Sequence, residues 1–304
     1  MSTIQKTTLK RFNGTDWDPI HLATSADITR VGADITVIGS AIGALAVGDT
    51  IKATDSVQAT LKKIVQKRVA PKYDQPVVAL AVATGTAKGS YEAGTAIKAT
   101  IRSTFTQNDA GALTDNSIKK NGTAVVTGTD NPADYAFDAT LGDETVTFAS
   151  TATYAEGAVK KDSLDDPSPS GHVAAGSKNS ANIQYVGFRK AFYGADSVGE
   201  QAALATSAAI RALSATSGAA SKGQTITASI PAGSTRFTLA FKASLGNLAE
   251  VLYKESGNAN VTSQFKKSSV DVEGANGFTA VAYNVYTISW AQPTAGAMTF
   301  TIKL

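Results

Sequence analysis

The sequence contains no cysteine, only two histidines, and no apolar run long enough to cross a membrane. Without cysteine there can be no disulfide framework, no thiolate zinc site and no thiol nucleophile. His21 and His172 have no partner at the spacing of zinc ligands or of a catalytic triad. The longest apolar stretch, ITVIGSAIGALAVG, is too short and too rich in glycine to span a bilayer, so we expect no membrane insertion. The first residues, MSTIQKTTLKRF, lack the apolar segment of a signal peptide.

Charge is scarce as well, at 17% of residues, which is below the quarter that is usual in soluble domains. The net charge of +3 is spread along the chain, so we expect no nucleic-acid partner. What is abundant is Ala, Val, Ile, Thr, Ser and Gly, a mixture that favours strands and tight turns over helices. The 304 residues suffice for two or three domains, and we predict a mainly β chain.

The sequence also lacks the common catalytic and nucleotide-binding motifs, such as GxSxG, HExxH and the P-loop. Acidic residues cluster around Asp134 and Asp138 and again around Asp162 and Asp165, where paired carboxylates could serve glycoside hydrolysis or calcium. Both runs fall in predicted turns, in which Asp commonly bonds its own backbone. We therefore predict no enzyme activity, no cofactor and no metal site.

Residues 1–27 are predicted to form an N-terminal anchor built on a hairpin. Asn13-Gly14 favours a two-residue turn, which would place Phe12 opposite Thr15 and Lys10 opposite Trp17, before Pro19 ends the pairing. The hairpin either covers its own domain or docks on a larger partner. A lone hairpin is marginal in water, so we favour docking. The predicted anchoring residues are Phe12, Asn13, Gly14, Trp17 and Ile20.

Residues 28–70 are predicted to hold an oligomerisation seam followed by a short helix. Six aliphatic residues are spaced 3, 4, 3, 4 and 3 apart, which is the heptad pattern of a coiled coil of three or more helices. They are Ile28, Val31, Ile35, Ile38, Ile42 and Leu45. The glycines among them oppose a helix, so an intertwined β arrangement stays an alternative. In TDSVQATLKKIVQKRV, one apolar face formed by Val57, Leu61, Ile64 and Val65 predicts a helix.

The rest of the chain reads as two β domains separated by a linker. Residues 71–164 carry short strand candidates between Gly, Asn and Asp turns, the spacing of an Ig-like β-sandwich. Residues 165–182 have the Pro, Ser and Gly content of a linker. Residues 183–304 predict a second β-rich domain with one Ala-rich helix, and the alternation in MTFTIKL predicts a final strand.

Several segments resemble bacteriophage virion proteins. LKRFNGTDWDPIHLATSADI resembles the N-terminal segments of head-fibre and tail-appendage proteins, and GDTIKATDSVQATLKKIVQKRVAPK resembles the short helix that introduces their β domains. FRKAFYGA, AIRALS, QTITASIPAGSTRFTLAF and VDVEGANGFTAVAYNVYTISW resemble a recurrent C-terminal module of virion proteins, especially those of gut phages.

The resemblance implies a structural role in the virion, an all-β architecture and a homotrimer, and it brings no catalytic residue with it. We therefore expect a trimeric head fibre or capsid decoration whose N-terminus binds the capsid or another virion protein. One alternative is a tail or baseplate appendage that binds host surface glycans. A second alternative is a polysaccharide-degrading enzyme.

Overall fold

The computed structural model of the chain describes residues 9–12, 17–20, 34–36, 45, 48–65, 69–164, 167, 171–197 and 204–304. The structure is mainly β, as predicted, with several separate sheets and short helical segments. By its internal contacts the chain divides into two compact units. The first comprises Met1–Pro76, Gln107–Ala112 and Tyr154–Gly176, and the second comprises Val77–Thr106, Leu113–Thr153 and Ser177–Leu304.

The N-terminal hairpin is present, but its register differs from the predicted one. Strand β1 (Leu9–Phe12) pairs antiparallel with β2 (Trp17–Ile20), so that Phe12 lies opposite Trp17 and Lys10 opposite Pro19. The two-residue turn at Asn13-Gly14 had placed Thr15 opposite Phe12, so the observed register is shifted by two residues. Pro19 does not end the pairing, since each strand of a two-stranded ladder is an edge strand, where a missing N–H is tolerated.

The segment predicted as a heptad seam contains a strand where it can be described. Strand β3 (Ile35–Thr36) pairs antiparallel with β4 (Thr50–Ile51), so the helical alternative does not hold at Ile35. The Asp34 carboxylate accepts a hydrogen bond from the backbone N–H of Ala53 at 2.7 Å, which ties the two strands together beyond their ends. A heptad pattern does not encode such non-local bonds.

The predicted short helix is present as α1 (Val57–Val65). Its apolar residues recur at positions i, i+3 and i+4, which is the spacing of one helix face.

Two sheets then pack around one core to form the first sandwich, residues 77–188. One sheet has the order β10-β7-β5, and the other has the order β6-β13-β11-β8-β9, with β12 pairing on β11. Ile101 and Phe137 from one sheet share a buried cluster with Phe148 and Tyr185 from the other. The strands are β5 (Val77–Gly85), β6 (Gly89–Glu92), β7 (Ala96–Thr106), β8 (Leu113–Lys120), β9 (Thr123–Val126), β10 (Ala133–Thr140), β11 (Thr145–Tyr154), β12 (Gly176–Asn179) and β13 (Ile183–Phe188).

The sequence placed residues 165–182 in a linker and began the C-terminal domain at residue 183. In the structure, β12 lies inside that linker, and β13 pairs with β11 and β6 in the first sandwich. The physical reason is burial, because Ile183 and Tyr185 complete the core of the first sandwich. The composition of residues 165–182 predicts a loop, but it does not predict the sheet to which the following strand belongs.

Residues 190–304 form the second sandwich, from a five-stranded sheet of order β15-β14-β17-β21-β20 and a four-stranded sheet of order β16-β22-β18-β19. Phe237, Phe241 and Phe300 lie in the core between the sheets, while helix α2 covers the other face of the five-stranded sheet through Ile210. The elements are β14 (Lys190–Asp196), α2 (Ser207–Arg211), β15 (Ala215–Ala219), β16 (Thr225–Ile230), β17 (Arg236–Lys242), β18 (Glu250–Tyr253), β19 (Ala259–Asn260), β20 (Lys266–Val272), β21 (Val281–Ser289) and β22 (Met298–Lys303). The predicted final strand is thus confirmed as β22.

Polar contacts join the two sandwiches. Glu92, at the end of β6, pairs with Lys190 at 2.9 Å and with Arg211 at 2.6 Å. The backbone N–H of Ala275 donates to the carbonyl oxygen of Ala93 at 2.7 Å. An ion pair between Asp143 and Lys242 also joins the two sandwiches. We call these contacts together the sandwich joint.

Candidate functional site

The predicted anchoring residues lie partly within the described hairpin. Phe12 ends β1, Trp17 begins β2 and Ile20 ends β2. The observed register makes Phe12 and Trp17 direct cross-strand partners, which the predicted two-residue turn did not. Asn13 and Gly14 lie outside the described residues. The anchoring role of all five residues stays a prediction.

The predicted oligomerisation residues are also only partly described. Ile35 lies in β3, and Leu45 is 4% exposed and packs with Ile51, which is 5% exposed. Leu45 therefore buries its side chain within its own chain. Ile28, Val31, Ile38 and Ile42 lie outside the described residues, and the trimer axis stays a prediction.

Helix α1 carries an apolar face that the described part of the chain leaves exposed. Leu61 is 54% exposed, Ile64 36% and Val65 78%. We call these three residues the α1 stripe. Val69, four residues beyond the end of the helix, is 60% exposed. Large aliphatic side chains grouped in this way give the helix an exposed apolar surface, which makes the α1 stripe a candidate contact surface.

The carboxylates considered for catalysis or calcium are engaged in structural contacts. Asp134 accepts two hydrogen bonds from the Arg102 guanidinium, at 2.7 and 2.6 Å, and these bonds hold the pKa of Asp134 below its usual value. Asp138 pairs with Lys98 at 3.4 Å. Asp162 accepts from the backbone N–H of Leu164, as expected of turn chemistry. Among the described residues, no group of three or more His, Cys, Asp or Glu side chains could hold a metal ion.

The remaining chemical candidates give no site either. His172 lies 3.3 Å from Glu156, and His21 lies outside the described residues. Tyr185 and Phe192 carry aromatic rings of the kind that stack on sugars, but both rings are buried within the two sandwiches. Alternating aromatic residues on a strand occur both in protein cores and in ligand-binding surfaces. Because these two rings are buried, they belong to the core.

The second sandwich contains an aromatic cleft that the sequence did not reveal. The cleft has a volume of about 270 Å³ and lies among the end of β18, the loop that follows it and the loop between β21 and β22. Its aromatic walls are Tyr253 and Trp290, both half-buried. We call it the Tyr253–Trp290 cleft, and its other lining residues are Glu255, Gln292, Thr294, Ala295, Gly296, Ala297 and Met298. The two aromatic residues are 37 positions apart, so no local pattern could join them.

Hydrogen bonds fix the loop that carries Trp290. The backbone N–H of Trp290 donates to the carbonyl oxygen of Thr235 at 2.8 Å. Thr294 exchanges backbone bonds with the turn before β17, donating to the Ser234 carbonyl at 2.9 Å and accepting from the Gly233 N–H at 2.8 Å. The Thr294 hydroxyl accepts from the Ser234 N–H and donates to the Pro231 carbonyl at 3.2 Å each. The cleft is therefore formed before any ligand arrives.

The two remaining walls of the cleft are fixed as well. The Tyr253 ring packs edge-on against Phe300, at 5.9 Å between ring centroids, and Phe300 belongs to the core of the second sandwich. The Glu255 carboxylate accepts from the backbone N–H of Thr299 at 2.9 Å. That backbone hydrogen bond is the main cause of the lowered pKa of Glu255, so the carboxylate is ionised at neutral pH.

In the part of the chain that is described, no helix combines the length and the apolar character needed to cross a membrane. In comparisons with known proteins, the chain matches no protein-family model, no curated protein and no solved structure.

Proposed function

We propose that the chain is a virion structural protein: a trimeric head fibre or capsid decoration that is attached to the phage capsid, or to another virion protein, by its N-terminal residues. In this proposal the first sandwich is an Ig-like domain. The resemblance of the N-terminal and C-terminal segments to phage virion proteins supports the proposal.

The observation that carries the proposal is the exposed α1 stripe, which lies in the same part of the chain as the predicted anchor and seam. In the described part of residues 1–70, the buried apolar cluster consists of Leu45 and Ile51 alone. Leu61 and Val65 remain more than half exposed. An exposed apolar helix face gains stability when it is buried against another molecule, either a second copy or a docking protein.

The contacts of the carboxylates support a structural rather than a catalytic role. Asp134 and Asp138, the best enzymatic candidates, are each paired with a cation on the neighbouring strand β7. A general acid needs a raised pKa to hold its proton at neutral pH, whereas the pKa of Asp134 is lowered. We propose that the protein is not an enzyme. Turnover in a glycan-cleavage assay that is abolished by Asp138→Asn would overturn this part of the proposal.

Attachment is tested with phage particles that lack the chain, to which purified full-length protein is added back. We expect the wild-type chain to co-sediment with the particles, and the double variant Phe12→Ala, Trp17→Ala to lose at least about 90% of this binding, since two large aromatic contacts are removed. The matched control is Trp290→Ala, which removes the other tryptophan and should bind as the wild type does. Equal binding of the wild type and the Phe12→Ala, Trp17→Ala variant would contradict the anchor.

A second test asks whether the N-terminal residues suffice for attachment. Residues 1–70 are fused to a fluorescent protein and mixed with the same particles. We expect the fusion to bind and residues 71–304 to remain free. Binding by residues 71–304 alone would place the attachment site outside the N-terminus.

The Tyr253–Trp290 cleft favours a second candidate function, a tail or baseplate appendage that binds host surface glycans. A fixed cleft with two aromatic walls and a few polar groups has the composition of a small-ligand site. The test is retention of the full-length chain on host cell-wall material. We expect the wild-type chain to be retained and to be released by soluble wall polysaccharide, and an unretained chain would remove this candidate.

A further inference from the structure

We propose that the Tyr253–Trp290 cleft binds a single neutral sugar ring, with the ring seated against the aromatic walls and its hydroxyl groups donating to Glu255. The inference deepens the second candidate function by assigning its ligand class and its residues. It does not depend on whether the chain is attached to a head or to a tail.

The size of the cleft selects a small ligand. Its volume of about 270 Å³ falls just below the range of roughly 300–1,000 Å³ that holds drug-sized molecules. A folded peptide segment or a fatty acyl chain needs a longer groove. One sugar ring, as the end or as a side branch of a polysaccharide, is of suitable size.

The walls suit the two kinds of surface that a sugar ring presents. The faces of a pyranose carry C–H groups, which pack on the electron-rich faces of aromatic rings, while its edges carry hydroxyl groups that need acceptors and donors. Tyr253 and Trp290 supply aromatic surface, and Glu255 and Gln292 supply polar atoms. The indole N–H of Trp290 makes no hydrogen bond within the described residues and is not buried, so it is free to donate.

The Glu255 carboxylate can accept hydrogen bonds from a ligand. The carboxylate is exposed and forms no ion pair with any side chain in the described part of the chain. Its partner for hydrogen bonds from another residue is Thr299, whose backbone N–H donates at 2.9 Å and whose side chain also contributes to the lowered pKa of Glu255. A hydroxyl group that donates to an ionised carboxylate forms a bond about twice as strong as one between neutral groups. Glu255 is thus the strongest polar contact available to a sugar hydroxyl in this cleft.

The fixed geometry of the cleft favours binding of a weak ligand. The backbone bonds of Trp290 and Thr294 hold the loop between β21 and β22, and the packing of Tyr253 on Phe300 holds the opposite wall. A site that is already ordered loses little conformational entropy when it binds, so even a ligand with few contacts is retained.

A small organic cation is the main competitor, because aromatic walls and a carboxylate also attract quaternary ammonium groups. Lys254 precedes Glu255 in the chain, and its charge contributes least among the causes of the lowered pKa of that carboxylate. Choline therefore serves as the competing probe, and the titration decides between a neutral sugar and a cation.

The two tryptophans allow a test with an internal control. The full-length chain is labelled with 5-fluorotryptophan, so that its fluorine NMR spectrum contains one signal from Trp17 and one from Trp290, assigned with Trp290→Phe. Neutral hexoses, N-acetylhexosamines, deoxyhexoses and pentoses are added singly to about 50 mM. We expect at least one sugar to shift the Trp290 signal saturably, with a Kd on the order of 1 mM, while the Trp17 signal does not move.

Matched variants separate the roles of the side chains. Tyr253→Ala should raise the Kd at least about tenfold, whereas Tyr253→Phe, which keeps the ring, should change it less than about twofold. Glu255→Gln keeps an acceptor oxygen but loses the charge, so we expect a rise in Kd of about three- to tenfold. Circular dichroism of each variant verifies that the fold is intact. Because Tyr253→Phe and Glu255→Gln are nearly isosteric, the test does not depend on Tyr253→Ala folding.

Three results would overturn the proposal: no shift of the Trp290 signal with any of the sugars, equal shifts of both tryptophan signals, or tighter binding of choline than of every sugar. Retention on host wall material separates this site from the proposed function. If Tyr253→Ala and Trp290→Ala are still retained, the glycan-binding function stands and the cleft is not its site. If the wild-type chain binds a sugar in the cleft but is not retained on host wall, the site stands and the appendage function does not.

Discussion

Glu92 is a carboxylate that lies almost out of water and still carries a charge. Its side chain is 10% exposed, and burial by itself raises its pKa. The hydrogen bonds and charges of Arg211 and Lys190 outweigh burial, so the pKa of Glu92 lies below its usual value. Both cations belong to the second sandwich, and Glu92 belongs to the first. The ionised form of this one residue therefore stabilises the sandwich joint.

We predict that Glu92→Gln lowers the free energy of unfolding at pH 7 by about 2–3 kcal/mol. Breaking a fully buried pair costs roughly 3–5 kcal/mol, and the cost is smaller here because Lys190 and Arg211 each keep about a third of their surface in water. Since the folded-state pKa is depressed, the wild-type advantage is present above the unfolded pKa of about 4.3 and is lost as the pH falls through the folded-state value. Urea unfolding at pH 7 and at pH 3 measures both effects.

The control for Glu92 is Asp138→Asn, which breaks an ion pair in which Lys98 and Asp138 are 85% and 70% exposed. Exposed pairs contribute little, so we expect a change of less than about 0.5 kcal/mol. If Glu92→Gln were as harmless as Asp138→Asn, or if its effect were the same at pH 3 and at pH 7, the stabilising role of the Glu92 charge would be wrong.

Gly94 is required at the sandwich joint for a steric reason. Its φ is +101°, and a Cβ at this position would overlap the carbonyl oxygen of Ala275 and the Cβ of Phe278. Gly122 has a φ of +84° with no atom near a Cβ, so Gly122→Ala measures the backbone cost alone. We predict that Gly122→Ala lowers the free energy of unfolding by about 1–2 kcal/mol and that Gly94→Ala lowers it by about 3 kcal/mol or more. Thermal or urea unfolding measures both values. Equal losses would show that the two sandwiches do not touch at Gly94.

At the scale of elements, the sequence predicted the strands and the helix that are defined by a local pattern of apolar residues. β7 alternates buried and exposed residues from Ile97 to Phe105, and period-2 alternation also predicted β22. Helix α1 followed from its 3.6-residue apolar period. In each case the pattern that defines the element lies within a dozen neighbouring residues.

What the sequence did not predict depends on partners distant along the chain. The hairpin register pairs Phe12 with Trp17, while the local Asn-Gly signal placed Thr15 opposite Phe12. Ile35 is a strand residue because it pairs with Ile51, and a heptad pattern carries no information on that pairing. Tyr253 and Trp290 meet because β18 and β21 belong to the two facing sheets of the second sandwich. Register and sheet membership are properties of the pairing, not of the segment.

Helix α2 depends on its cap, since five residues give it few internal hydrogen bonds. The Thr206 hydroxyl accepts from the backbone N–H of Ala209 at 3.2 Å. We predict that Thr206→Ala lowers the free energy of unfolding by about 1 kcal/mol, and that Thr206→Asn, another good N-cap, lowers it by less than about 0.5 kcal/mol. Urea denaturation followed by circular dichroism compares the two. A larger loss in Thr206→Asn than in Thr206→Ala would show that the cap does not hold α2.

At the scale of the whole molecule, the predicted trimer needs more contact area than the seam supplies. Burying six aliphatic side chains contributes on the order of 10 kcal/mol per chain, whereas ordering 18 residues costs about 1–2 kcal/mol each in backbone entropy. Leu45 packs with Ile51 inside the chain, which reduces the number of seam residues available to the axis. The α1 stripe offers the additional exposed apolar surface that a trimer interface requires.

We predict that light scattering of the purified chain gives the mass of three copies of 31.2 kDa each at micromolar concentration. Leu61→Asp with Val65→Asp should convert the trimer to monomer, because six unpaired carboxylates would be buried in its interface. Ile35→Asp with Ile38→Asp should weaken it in the same way if the seam lies on the axis. Val159→Asp is the control, since Val159 is an exposed valine of the same unit, 48% accessible, and lies outside both segments. A monomeric wild-type chain would refute the trimer, and a trimer that tolerates both double substitutions would place its contacts in the two sandwiches instead.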